Sequence, residues 1–106
     1  MNMENYVIDF ELLPWVEPVP GMRFKAFVQG QKKMRIVEFT EEFVEPDWCI
    51  NGHIGYVIEG EMEVEFEGAV RKYKAGDGLF IPKGDENKHR HYSTIKAVTL
   101  FMVEDA

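Results

Sequence analysis

The residues able to do metal or nucleophilic chemistry gather in one half of the chain: Cys49, His53, His89 and His91. They fall in or beside two glycine-punctuated blocks, Gly52 to Phe66 and Lys74 to His91, and two such strand blocks can each bring a histidine toward one cavity. Cys49 is the only cysteine, so no intrachain disulfide and no CxxC motif can form. It is a packed side chain, a reactive thiol or one metal ligand among others. A thiolate stabilised near His53 could attack an electrophile. The two are four residues apart, beyond hydrogen-bond reach in an extended chain, so that chemistry needs a bend. In the second block Asn87, His89 and His91 share one face of an extended backbone, with Lys88 and Arg90 on the other.

The elements that must position these groups are strands. Met62, Val64 and Phe66 alternate with Glu63, Glu65 and Glu67, a period of two with one apolar and one charged face. Glu67-Gly68 then marks a turn, and Val70 to Tyr73 returns as the second arm of a hairpin. Leu79 to Ile81 is a short apolar run stopped by Pro82, which has no N–H to give to a ladder. Met22 to Val28 and Met34 to Phe39 read as two earlier strands. Ile95 to Val103 is almost continuously apolar and is expected to be a strand covered on both faces. Val7 to Leu13 could form a short helical turn ended by Pro14. Glu41 to Asn51, with Pro46, lacks alternation and reads as a loop feeding the first block. The row Glu59, Glu61, Glu63, Glu65 and Glu67 reads as a solvated strand face whose charges discourage pairing at an edge.

Composition bounds the rest. A chain of 106 residues is expected to be one domain, residues 1–106, with a core of its own. Hydrophobic residues at 45% and aromatic residues at 13% exclude a disordered chain. No apolar run is long enough for a bilayer or a secretory leader, so a soluble, cytoplasmic protein without a membrane partner is expected. A net charge of −7, with twelve basic residues scattered among nineteen acidic ones, argues against nucleic acid as a partner.

Taken together, the blocks resemble those of the cupins, small antiparallel β-barrels or jelly rolls with the motifs G-x5-H-x-H-x3-4-E-x6-G and G-x5-P-x-G-x2-H-x3-N. Gly76, Pro82 and Gly84 stand at the second motif's spacing, and Gly60 at the end of the first. The likeness runs from about Asp47 to His91. It implies an all-β fold, an antiparallel β-barrel or jelly roll, and often a homodimer paired through sheet surfaces. Carried over position by position, it puts Asp47 and Cys49 at the paired histidine positions and His53 at the glutamate. Asn87 then falls at the last histidine, with Glu41 at the first glycine and His91 at the terminal asparagine. His89 could reach the place that Asn87 cannot fill, while His91 is expected at the strand's exposed end.

The candidate metal set is therefore Cys49, His53 and His89, with Asp47 as an oxygen ligand to a divalent zinc, iron, nickel or manganese ion. The alternative is that Cys49 packs and the histidines make ordinary hydrogen bonds. Tyr56, Trp48 and Asn87, with Phe80 and Tyr92, are candidates to line a cavity for a small-molecule ligand, against simple core packing. The function expected is a small-molecule-binding domain that can hold a divalent metal. The alternative is a metal-dependent enzyme of oxygenase or isomerase type acting on a small organic acid or sugar-like metabolite.

Overall fold

The computed structural model describes residues 6–106. Seven strands carry the fold: β1 Val16–Val19, β2 Met22–Gln29, β3 Lys32–Thr40, β4 His53–Phe66, β5 Ala69–Lys74, β6 Gly78–Ile81 and β7 His89–Asp105. The only helical elements among the described residues are two 3-10 turns, Phe10–Leu12 and Asp85–Asn87. Every strand pair is antiparallel, in the order β1-β2-β3-β7-β4-β5, with β6 also pairing with β4. The jelly-roll-like fold expected from the sequence is present, although the strand order does not close into a complete barrel. No helix among the described residues is long and apolar enough to cross a membrane.

Two long strands organise the molecule. β4 lies against β7 along nearly its whole length, and its other edge is shared between β6 near its start and β5 near its end. Period-two alternation turns Met62 and Val64 inward, and the register shifts before them put Val57 on the same side, where the three meet Val37, Leu79, Ile81, Val98, Leu100 and Met102. Val37, Val57, Val98 and Leu100 are fully buried, each contributing about 1.5–3 kcal/mol by leaving water. The glutamates of β4 point the other way. They do not guard an edge, because β4 is an interior strand. Glu61 pairs with Lys72 and Glu65 with Arg90, Glu63 accepts a hydrogen bond from Ser93, and in the turn after β4 Glu67 pairs with Lys88.

β7 departs from expectation in extent and in facing. It begins at His89, and in its second half Val98, Leu100, Met102 and Glu104 are buried while Phe101 and Val103 are half-buried. It is a one-sided strand whose outer row happens to be apolar. Two irregularities interrupt it, and the first resets its facing. Glu63 pairs with Ser93 but Val64 with His91, so Tyr92 is an extra residue, and the inward set changes from His89 and His91 to Thr94 and then the even-numbered residues from Val98 onward. Lys96 and Ala97 form a second bulge opposite Gly60. Lys96 sits at φ 65°, and Gly60 at φ 86° lies so close to the Ala97 carbonyl that any Cβ there would collide with it.

Candidate metal centre

His53 opens β4, and its place in the sheet fixes what surrounds it. β6 brings Ile81 opposite His53, β7 brings Glu104 to its other side, and β3 places Lys33 opposite Glu104. The inward row therefore reads Ile81, His53, Glu104, Lys33 across four strands. Cys49 arrives from the loop before β4, held by a two-hydrogen-bond bridge to β7. Its N–H donates to the His89 carbonyl at 2.7 Å, and the His89 N–H donates to the Cys49 carbonyl at 3.0 Å. The loop is sewn to β7 further along, where the His91 N–H donates to Glu45 Oε1 and Arg90 Nη1 to the Pro46 carbonyl.

Each histidine ring is oriented by a bond at Nδ1. His89 Nδ1 lies 2.9 Å from the Asn87 carbonyl, which can only accept, so Nδ1 carries the proton and Nε2 keeps its lone pair. His53 Nδ1 lies 2.6 Å from Glu104 Oε2, and Arg35 grips the same carboxylate with Nε at 2.6 Å and Nη2 at 2.8 Å. Burial alone would raise the Glu104 pKa, but the hydrogen bonds and charges of His53 and Arg35 outweigh it and hold the group at about 2. The carboxylate is ionised, accepts from both neighbours, and leaves His53 Nε2 facing Cys49 Sγ at 3.9 Å.

The result is a three-donor cluster. Ligand atoms of Cys49, His53 and His89 lie within 4.8 Å of one another, and the two rings meet edge to face with centroids 5.0 Å apart. His89 Nε2 is buried and has no hydrogen-bond partner. Burial, and then the neighbouring His53, lower the His89 pKa against the opposing pull of the Asn87 carbonyl and Glu45, so the ring is held neutral. A neutral, buried, unpartnered imidazole nitrogen beside a thiol and a second imidazole fits the chemistry of a transition-metal ligand set. Both Nδ1 anchors are bonds of the kind that orients histidines in metal sites.

The cluster opens on a cavity of about 420 Å³. Met62, Val64, Leu79, Ile81, Leu100 and Met102 supply apolar walls, and Lys33, Arg35, Glu45, Lys83 and Asp105 are among the polar lining.

Several residues expected at the site lie elsewhere. Asp47 is exposed and outside the cluster, because the loop turns its backbone toward β7 only at Cys49. Tyr56 is 52% exposed and Phe80 74%, since both occupy outward positions in the β4–β6 ladder, and Tyr92, the bulged residue, also points outward. Trp48 does not line the cavity. It stacks under Arg90, whose guanidinium carbon is 4.2 Å from the ring centroid, and near Lys88. Asn87 contributes its backbone carbonyl to His89 and does not line the cavity. His91 is buried, not exposed, packed between Phe39 and Phe43 with Nε2 2.6 Å from Thr94 Oγ1. Sequence reading missed Glu104 and Arg35. Their signal was available, since Glu104 continues the alternation of Val98, Leu100 and Met102, and Arg35 stands two residues from buried Val37.

Comparison with known proteins agrees with this architecture. A family profile described as "Cupin domain" matches residues 50–104, just over half of the chain. A curated relative, acetate kinase EutQ of Escherichia coli (strain K12), is 42% identical over 50 residues, covering 46% of this chain and 22% of that protein. The chain thus spans about a fifth of that relative's length. Among solved structures, KdgF from Halomonas sp. superposes with a TM-score of 0.74 at 23% identity, covering 95% of this chain and 94% of that one. The polyketide cyclase RemF from Streptomyces resistomycificus gives 0.76 at 16% identity, covering 96% and 80%. At such identities the structural likeness is one of fold.

Proposed function

The chain belongs to the cupin family, and from that premise we propose that it is a small-molecule-binding protein holding a divalent metal through Cys49, His53 and His89. The observation that carries this reading is His89 Nε2, a buried nitrogen without a partner beside two other donors. Leaving such a group unsatisfied costs about 1–3 kcal/mol, which ligation would offset. Thiolate and imidazole together favour zinc, iron or nickel, with manganese, which prefers oxygen ligands, the weakest match. When bound, the ion would polarise an oxygen of the ligand as a Lewis acid.

The chain's own residues have separate tasks. Glu104 and the Asn87 carbonyl fix the two rings, and the apolar walls exclude water from around the ligand. Binding is favoured over catalysis because each carboxylate lining the cavity is engaged. Glu104 is held by His53 and Arg35, Glu45 by the His91 N–H and Asp105 by Lys32. None remains uncommitted as a general base.

Protein purified without a polyhistidine tag is expected to contain close to one equivalent of zinc, iron or nickel per chain. His89→Ala should lower that to background while the protein stays folded. Wild-type protein that is metal-free and takes up none on reconstitution would overturn the reading. The same proposal includes a homodimer, supported by the outward apolar row Ile54, Tyr56, Ile58 and Phe80. Sedimentation at micromolar concentration should give twice the 12.3 kDa chain mass, and monomer mass alone would refute pairing.

A further inference from the structure

The cavity lining carries three basic side chains, Lys33, Arg35 and Lys83, and three acidic ones, Glu45, Glu104 and Asp105, but they are not matched pair for pair. Arg35 is committed to Glu104, Asp105 to Lys32 and Glu45 to a backbone N–H. Lys33 and Lys83, which also line the cavity, have no ion-pair or hydrogen-bond partner among the described residues. In a chain with a net charge of −7, half-buried Lys33 and exposed Lys83 thus stand at one apolar-walled cavity without a salt-bridge partner. Their places in the sheet are ordered. Lys33 stands opposite Glu104 on β3, one strand beyond β7, while Lys83 follows β6 two residues after Ile81, the partner of His53. The two cations therefore flank the His53 end of the cavity from opposite sides.

We infer that the ligand is a small dicarboxylic acid, with one carboxylate received by Lys33 and the other by Lys83, its middle lying beside Cys49, His53 and His89. The inference rests on the small-molecule-binding reading above and adds the class of ligand. Two arguments favour a dicarboxylate over a phosphate. Strands β3 and β6 stand three inter-strand spacings apart, about 14 Å along the sheet. Long side chains set on β3 and just beyond β6 meet two charges spread along a ligand better than one compact charge. Phosphate recognition also gathers several donors at a point, usually backbone N–H groups or a forked guanidinium, and the cavity's guanidinium is already occupied by Glu104. The volume of about 420 Å³ suits a metabolite of modest size, being near the lower end of small-molecule sites.

The test is calorimetric titration of malonate, succinate and glutarate, with their neutral diamides and inorganic phosphate as controls. Both metal-loaded and chelator-treated full-length protein are titrated. At least one dicarboxylate should bind ten or more times tighter than its diamide. The double variant Lys33→Met/Lys83→Met should lose at least tenfold in affinity with metal content unchanged. Because both lysines retain some exposure, the variant should fold, and each single variant should show a smaller loss. Equal binding of acid and diamide, tighter binding of phosphate, unchanged affinity in the double variant, or no binding of any acid at millimolar concentration would each overturn the inference. Lysine-dependent binding by protein that takes up no metal would uphold it while refuting the metal centre.

Discussion

Replacing Glu104 by alanine is expected to destabilise the protein by about 3–5 kcal/mol and to weaken metal binding by about 10- to 100-fold. The two effects have separate origins. The carboxylate has only 7% of its surface exposed and faces the Arg35 guanidinium, 13% exposed, so its removal strands a positive charge in a poorly hydrated place. The same carboxylate holds His53 Nδ1 at 2.6 Å, and without it the ring is free to rotate or change tautomer. Denaturant unfolding measures the first effect and competition against a metal chelator the second. The double variant Arg35→Met/Glu104→Leu should recover much of the stability, because an apolar pair can replace a buried ion pair, but none of the metal affinity. A Glu104→Ala protein within about 0.5 kcal/mol of wild type in stability would show that the Arg35–Glu104 pair contributes nothing.

Acid should unfold the metal-free protein in two overlapping stages. Burial holds the His91 pKa at about 4 against an ordinary 6.5, so the folded state favours the neutral ring. The stability this represents is complete above pH 6.5 and is lost as pH falls toward 4, as the unfolded chain takes up a proton that the folded chain refuses. Glu104 is likewise depressed, from 4.5 to about 2, so its contribution is complete above pH 4.5 and is lost between there and pH 2. Each shift corresponds to an effect on the order of 3 kcal/mol, comparable with half of a marginal domain's stability. Unfolding free energies measured from pH 8 to 3 should therefore start to fall below pH 6.5, before carboxylates titrate. His91→Phe, which fits the ring between Phe39 and Phe43, should make that first decline shallower, leaving the part due to His89, whose pKa burial also lowers. A wild-type profile level from pH 7 to 5 would contradict this account of His91.

The strand frame was legible because its causes are local. Alternation at Met62 to Phe66, the turn at Gly68 and the stop at Pro82 are each decided by neighbouring residues, and the strands stand where these signals place them. The site was legible only in part. His53, His89 and Cys49 could be singled out by donor type, and the fold brings them together. Asp47, Tyr56 and Trp48 fell outside the cavity because side-chain direction depends on where the loop docks and which edge β6 takes. His91 was misplaced for another reason, since it was expected to end a strand, whereas β7 begins at His89 and runs on through the bulge at Tyr92 to Asp105. Arg35 and Glu104 were overlooked because charged residues in an apolar row were not read as members of that row.

That bulge gives β7 the character of a message with a frameshift. Upstream of Tyr92 the odd-numbered residues face the interior and downstream Thr94 and the even-numbered residues from Val98 do, so one strand serves both the donor His89 and the distant support Glu104. A point substitution in β7 changes what one position touches. A one-residue insertion or deletion near Tyr92 would instead exchange inside for outside over a whole segment, turning His89 and His91 out of the interior or Leu100, Met102 and Glu104 out with them. The length of this strand, and not only its composition, is therefore part of what specifies the site.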